Sequence, residues 1–129
     1  MISFTNYNAN PHKRKTTDCV VRALTTAAEM KYEDVYKELF DISLKTGYMI
    51  NEKRVYEQFL TNHNFVKIKQ PKRDDGTKYL IGEIDLLEKN KTIVIRCANH
   101  LTCIKDNTVI DIWDCRRKTI GNYYVRKEK

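Results

Sequence analysis

Residues 92–126, TIVIRCANHLTCIKDNTVIDIWDCRRKTIGNYYVR, alternate β-rich runs with turn formers, and their reading decides the second half of the fold. Thr92 to Cys97, His100 to Ile104, Val109 to Trp113 and Tyr123 to Arg126 are each short and rich in β-branched or aromatic residues, the composition that suits a pleated, half-buried surface. They are expected to form a small antiparallel sheet. Phe65 to Ile68 is a further short strand candidate, and the polar stretch 69–78 carries the turn pair Asp75-Gly76.

Upstream the period changes. Val20, Val21, Leu24, Ala27 and Ala28 recur at helical spacing, with Thr17 or Asp18 available as N-cap, so a buried helix starts near Cys19. A second helix is predicted from Tyr32 to Leu44, where Val35, Leu39 and Ile42 form one stripe and Gly47 supplies a stop. A third runs from Asn51 through Val55, Phe59 and Leu60 to Asn62, and Ile81 to Glu88 reads as a short helix. The first fifteen residues are polar and read as an extended basic arm. The pattern predicts one α+β domain over residues 1–129, helices first and sheet second, with N-terminal helices packed on a C-terminal antiparallel sheet.

Composition narrows the function classes. Hydrophobic residues make up 41% of the chain and charged residues 32%, too apolar for wholesale disorder. No run of about eighteen apolar residues is present, and the N-terminus lacks the basic-then-apolar order of a signal peptide, so a cytoplasmic protein without a membrane span is expected. In that compartment the four cysteines, Cys19, Cys97, Cys103 and Cys115, point to free or catalytic thiols rather than disulfides. Twenty-four Lys and Arg against seventeen Asp and Glu give a net charge of +7, which favours acidic proteins or nucleic acid as partners through long-range attraction. Without a binding motif, the basic clusters read first as solvated loops and tails.

The chemistry starts at Cys19. A thiol in the first turn of a helix faces the positive end of the helix dipole, which favours thiolate, and the unpaired N–H groups there suit an oxyanion. Such a thiol needs a base. Of three histidines, His12 lies in the polar arm and His63 in a turn context, whereas His100 opens a predicted strand. The imidazole needs an orienting group, and the loop after the His100 strand decides which carboxylate supplies it. A three-residue loop, Lys105 to Asn107 with Asn107 left-handed, puts Asp114 on the face of His100; a two-residue loop at Asp106-Asn107 puts Asp111 there instead. Because Asn tolerates the left-handed conformation, Asp114 is the favoured third member.

TTDCVVRAL followed by NHLTCIKDNTVIDIWD resembles the Cys helix and His hairpin of papain-like cysteine peptidases, nearest to the compact bacteriocin-leader-processing type. The resemblance covers most of the domain by order of elements, without extended identity. It implies a papain-like fold and a cysteine peptidase that cleaves a peptide or isopeptide bond through Cys19, His100 and Asp114, with no cofactor and no metal. The family's Gln before the cysteine is replaced here by Lys13, Lys15 and Thr16, with Asn8 and Asn10 as candidate substitutes, and Val20 stands where leader peptidases often carry Gly. Small phage and bacterial proteins also resemble the DCVVRAL and IWDC segments, which implies a viral or mobile-element role and, for a phage protein, the host cytoplasm. An inactive relative of the same fold, acting as a basic binding or inhibitor protein, is the alternative.

Other readings concern the remaining thiols. Cys97, His100 and Cys103 are spaced by three, but on one continuous strand both cysteines face opposite to His100, so a zinc site needs a break at Asn99. Cys103 is expected in the core and Cys115 at the surface near the cleft. Trp113 is expected in the core, with a wall beside the His100 pair as its other role.

Overall fold

The computed structural model describes residues 1–127 as an α+β assembly of helices on a six-stranded sheet. Its elements follow the sequence closely. Helix α1 spans Cys19–Ala28, α2 Tyr32–Thr46 and α3 Lys53–Asn62; strands are β1 Ser3–Asn6, β2 Phe65–Ile68, β3 Ile93–Cys97, β4 His100–Lys105, β5 Thr108–Asp111 and β6 Tyr123–Arg126. The segment Ile81–Leu86 is a 3-10 helix. Helix α2 stops where predicted, because Gly47 takes a left-handed φ of 82° and its N–H closes on the Ser43 carbonyl.

The strand order is β1-β5-β4-β3-β6-β2. All pairs are antiparallel except β1 with β5, which is parallel and seats residues 3–6 on the sheet edge. The expected N-terminal arm is therefore partly a strand. Its polar composition hid this, since Ile2 before it is buried but the strand itself is exposed at every position except the half-buried Phe4.

TIVIRC is apolar at nearly every position because both faces of β3 are covered. Val94, Leu101, Cys103 and Tyr124 meet the three helices in one core cluster, whereas Ile93, Ile95, Cys97, Ile104 and Tyr123 meet Ile81, Ile84, Cys115 and Ile120 in a second cluster on the other side. The sheet is thus a middle layer. Helix α1 lies across β4, which sets Cys19 close to the start of the His100 strand.

Two core assignments need correction. Trp113 is 40% exposed, because β5 ends at Asp111 and the chain leaves the sheet before it. Cys115 is fully buried, since the segment after β5 folds under the sheet and its thiol joins the second cluster. Among the described residues no helix is long and apolar enough to cross a membrane.

Candidate active site

The loop between β4 and β5 holds the answer to the orienting carboxylate. Asp106 and Asn107 have φ of 52° and 56°, the two left-handed residues of a type I′ turn, and Lys105 pairs directly with Thr108. The loop therefore has two residues, not three. Extending that register places Asp111 opposite Thr102, and because side chains alternate, Asp111 shares a face with both Thr102 and His100. His100 Nε2 lies 2.7 Å from Asp111 Oδ2, and the Thr102 hydroxyl donates to the same oxygen at 2.7 Å. Asp114, the favoured expectation, lies outside this arrangement: it is exposed and takes a two-pronged ion pair from Arg116, at 2.9 and 2.8 Å. The physical reason is that Asp106 accepts a left-handed conformation as readily as Asn107 does.

Cys19 opens α1 and lines one cleft with His100 and Leu101. With Nε2 held by Asp111, Nδ1 is the nitrogen left for the thiol. Burial pushes the Cys19 thiol up, but the His100 and Leu101 hydrogen bonds and the charges of His100 and Arg22 outweigh it and hold the group below its ordinary value. Burial also opposes charging His100, yet its hydrogen bonds to Asp111 and Cys19 raise it to about 9. Both directions shift the pair toward thiolate and imidazolium. Trp113 stands edge-on to the imidazole, ring centroids 4.9 Å apart at 79°, and so forms the wall that its alternative reading described.

Behind the pair lies a buried charge network that sequence reasoning missed. Arg22, one turn beyond Cys19, donates from Nε to Asp18 Oδ1 at 2.8 Å and from Nη1 to Asp111 Oδ1 at 3.0 Å. Asp18 also accepts from Asn10 Nδ2 at 3.0 Å and from the Tyr32 hydroxyl at 2.8 Å. Asp18 therefore gives its carboxylate to this network and makes no side-chain cap on α1. Burial pushes the Asp18 and Asp111 carboxyls up, but hydrogen bonds, from Arg22 to Asp18 and from His100 and Thr102 to Asp111, hold both below the usual carboxylate value. The signal was present in Asp18 and Arg22 at i,i+4 spacing, but an arginine on a buried helix face points to its partner only once the hairpin register is known.

A cleft of about 480 Å³ opens beside Cys19 and His100, with Thr16, Asn51, Tyr56 and Arg96 in its walls. The Cys19 N–H belongs to a helical first turn and has no intrahelical acceptor, so it is placed for an oxyanion. Asn8 and Asn10 do not complete such a hole: the Asn8 amide donates to the Arg14 carbonyl and the Asn10 amide to Asp18, ordering the loop before α1.

The break at Asn99 does occur, with φ of 56°, and it pairs Cys97 with His100 across a hairpin. Cys103 nevertheless points into the helix-side core, so the three expected zinc ligands do not converge. The set that does converge is His100, Asp111 and Cys115, whose ligand atoms lie within 4.8 Å of one another. Three donors could hold a cation, but the Arg22 guanidinium against Asp111 opposes one there, and His100 Nε2 and Asp111 Oδ2 are already bonded to each other.

No protein-family model, curated protein or solved structure matches this chain. The functional reading therefore rests on the geometry alone.

Proposed function

We propose that the protein is a thiol hydrolase of papain-like type that cleaves a peptide or isopeptide bond through Cys19, His100 and Asp111. The observation that carries the reading is the joint arrangement of a thiol at a helix start, an imidazole lining the same cleft, and a buried carboxylate bonded to that imidazole. The order of elements, Cys helix first and His hairpin later, supports the papain-like assignment.

In this mechanism the Cys19 thiolate attacks the carbonyl carbon, and the charge that develops on oxygen faces the Cys19 N–H. The C–N bond breaks as the His100 imidazolium gives its proton to the leaving amine. His100, now neutral, takes a proton from water, whose oxygen attacks the thioester; the acyl group leaves as a carboxylic acid, and the Cys19 thiolate and His100 imidazolium are restored. Asp111 keeps the imidazole oriented and favours its charged form throughout.

The test is a pool of proteome-derived peptides incubated with wild type and with Cys19→Ala, and read by mass spectrometry for new termini. Cleavage products should appear with wild type only. The same products from both proteins, or none from either, would contradict the proposal.

A further inference from the structure

Arg96 is out of character with its strand. In β3, Ile93, Val94, Ile95 and Cys97 are all buried, and only Arg96 is exposed. By alternation it shares the helix-side face of Val94, which is fully covered, yet the helices stop short of it and its side chain lines the cleft that holds Cys19 and His100. Its backbone is pinned: the Arg96 carbonyl accepts the Gly121 N–H at 2.7 Å and its own N–H donates to the Asn122 carbonyl at 3.2 Å. A Cβ on residue 121 would lie 2.6 Å from that carbonyl oxygen, so the close approach needs glycine.

The charge balance of the cleft is one-sided. Among the described residues no Asp or Glu side chain lines it. Arg22 is neutralised from behind by Asp18 and Asp111, and nearby Lys67 by Glu57 at 2.9 Å, but among the described residues no carboxylate pairs with Arg96. Tyr56 lies beside the guanidinium and Asn51 lines the same cleft, and both side chains are able to donate hydrogen bonds to an anion.

Resting on the hydrolase reading, we infer that Arg96, with Tyr56 and Asn51, forms a subsite for a carboxylate carried by the substrate close to the scissile carbonyl, so that the enzyme prefers acidic peptides. A guanidinium fork matches a carboxylate in two parallel hydrogen bonds. An acidic side chain and a chain-terminal carboxylate supply the same chemistry.

The experiment is positional scanning of quenched fluorescent peptides at fixed ionic strength, with Asp or Glu against Asn or Gln at each position, and with free against amidated C-termini. Wild type, Arg96→Gln and Arg96→Glu are compared, and the same acidic and amide peptides are titrated into Cys19→Ala by fluorescence anisotropy. The acidic member should be favoured at least about tenfold in kcat/KM at one position, or as the free C-terminus. That preference should vanish in Arg96→Gln and turn toward Lys in Arg96→Glu. Cys19-dependent cleavage that ignores substrate charge, or a preference that survives Arg96→Gln, overturns the subsite and leaves the hydrolase reading standing. If nothing is cleaved, the hydrolase reading fails, and the anisotropy decides: acidic peptides that bind only when Arg96 is present keep the subsite, and equal binding removes it.

Discussion

Among the described residues two histidine-carboxylate pairs of nearly equal length occur, and the proposed chemistry uses only one of them. His63 Nε2 lies 2.8 Å from Glu38, and His100 Nε2 lies 2.7 Å from Asp111. The His63 pair joins the end of α3 to α2, with side chains 28% and 29% exposed, and its ring stacks on Phe59. The His100 pair is 11% and 3% exposed, shares a cleft with the Cys19 thiol, and has Thr102 and Arg22 fixing its carboxylate. A contact distance therefore distinguishes nothing by itself. What separates the two sites is burial together with what each partner touches next.

Mutations at the two pairs should diverge accordingly. Cys19→Ala and His100→Ala should each lower kcat by about 10⁴-fold or more, while His63→Ala retains turnover on the same peptide. Comparable losses at His63 and His100 would erase the distinction.

Asp111→Asn comes next, with kcat reduced roughly 10²- to 10⁴-fold because the imidazole loses its orienting charge. It should also move the pH profile. The Asp111 hydrogen bond is the largest upward influence on His100, so activity should fall in the alkaline range near pH 9 in wild type, and at lower pH in the variant. The stability consequence has the same sign: charging His100 stabilises the folded protein fully below its ordinary value near 6.5, and this contribution is lost as pH rises through about 9. An alkaline limb that stays in place would separate Asp111 from His100.

Arg22→Met tests the network behind the pair. It leaves two carboxylates, Asp18 and Asp111, without their shared cation in the interior, and should cost about 3–5 kcal/mol in urea unfolding. Asp114→Asn, which only removes an exposed pair with Arg116, should stay within about 0.5 kcal/mol and keep kcat/KM close to wild type. The smallest effect expected from the second histidine pair is on stability alone, about 1 kcal/mol or less for Glu38→Gln.

Much of this comparison was legible in the chain, and the part that was not has an identifiable cause. Helical spacing after Asp18 and the β-rich runs from Thr92 onward carried the fold, because apolar periodicity reports burial directly. Cys19 and His100 followed from their places at a helix start and a strand start. The choice between Asp111 and Asp114 turned on one residue of loop length, and a one-residue change of register moves every side chain to the other face. Asp106 in a left-handed conformation decided it. Strand β1 was hidden because an edge strand needs no apolar alternation, and Cys115 because the burial of a loop residue depends on where the loop returns. The network of Asn10, Asp18, Arg22 and Tyr32 gathers residues from three separate segments, which no local pattern encodes.

The central claim is that Cys19 is a thiolate held by His100, and site-resolved alkylation tests it most directly. Iodoacetamide labelling would be followed against pH by mass spectrometry at each cysteine, in wild type and in His100→Ala. Cys19 should react with an apparent pKa below the ordinary thiol value of about 8.5, and should lose that advantage without His100. Cys103 and Cys115, pushed up by burial to about 12, should stay inert in the folded protein. A Cys19 that reacts as an ordinary thiol, or equally fast in the absence of His100, would contradict the account.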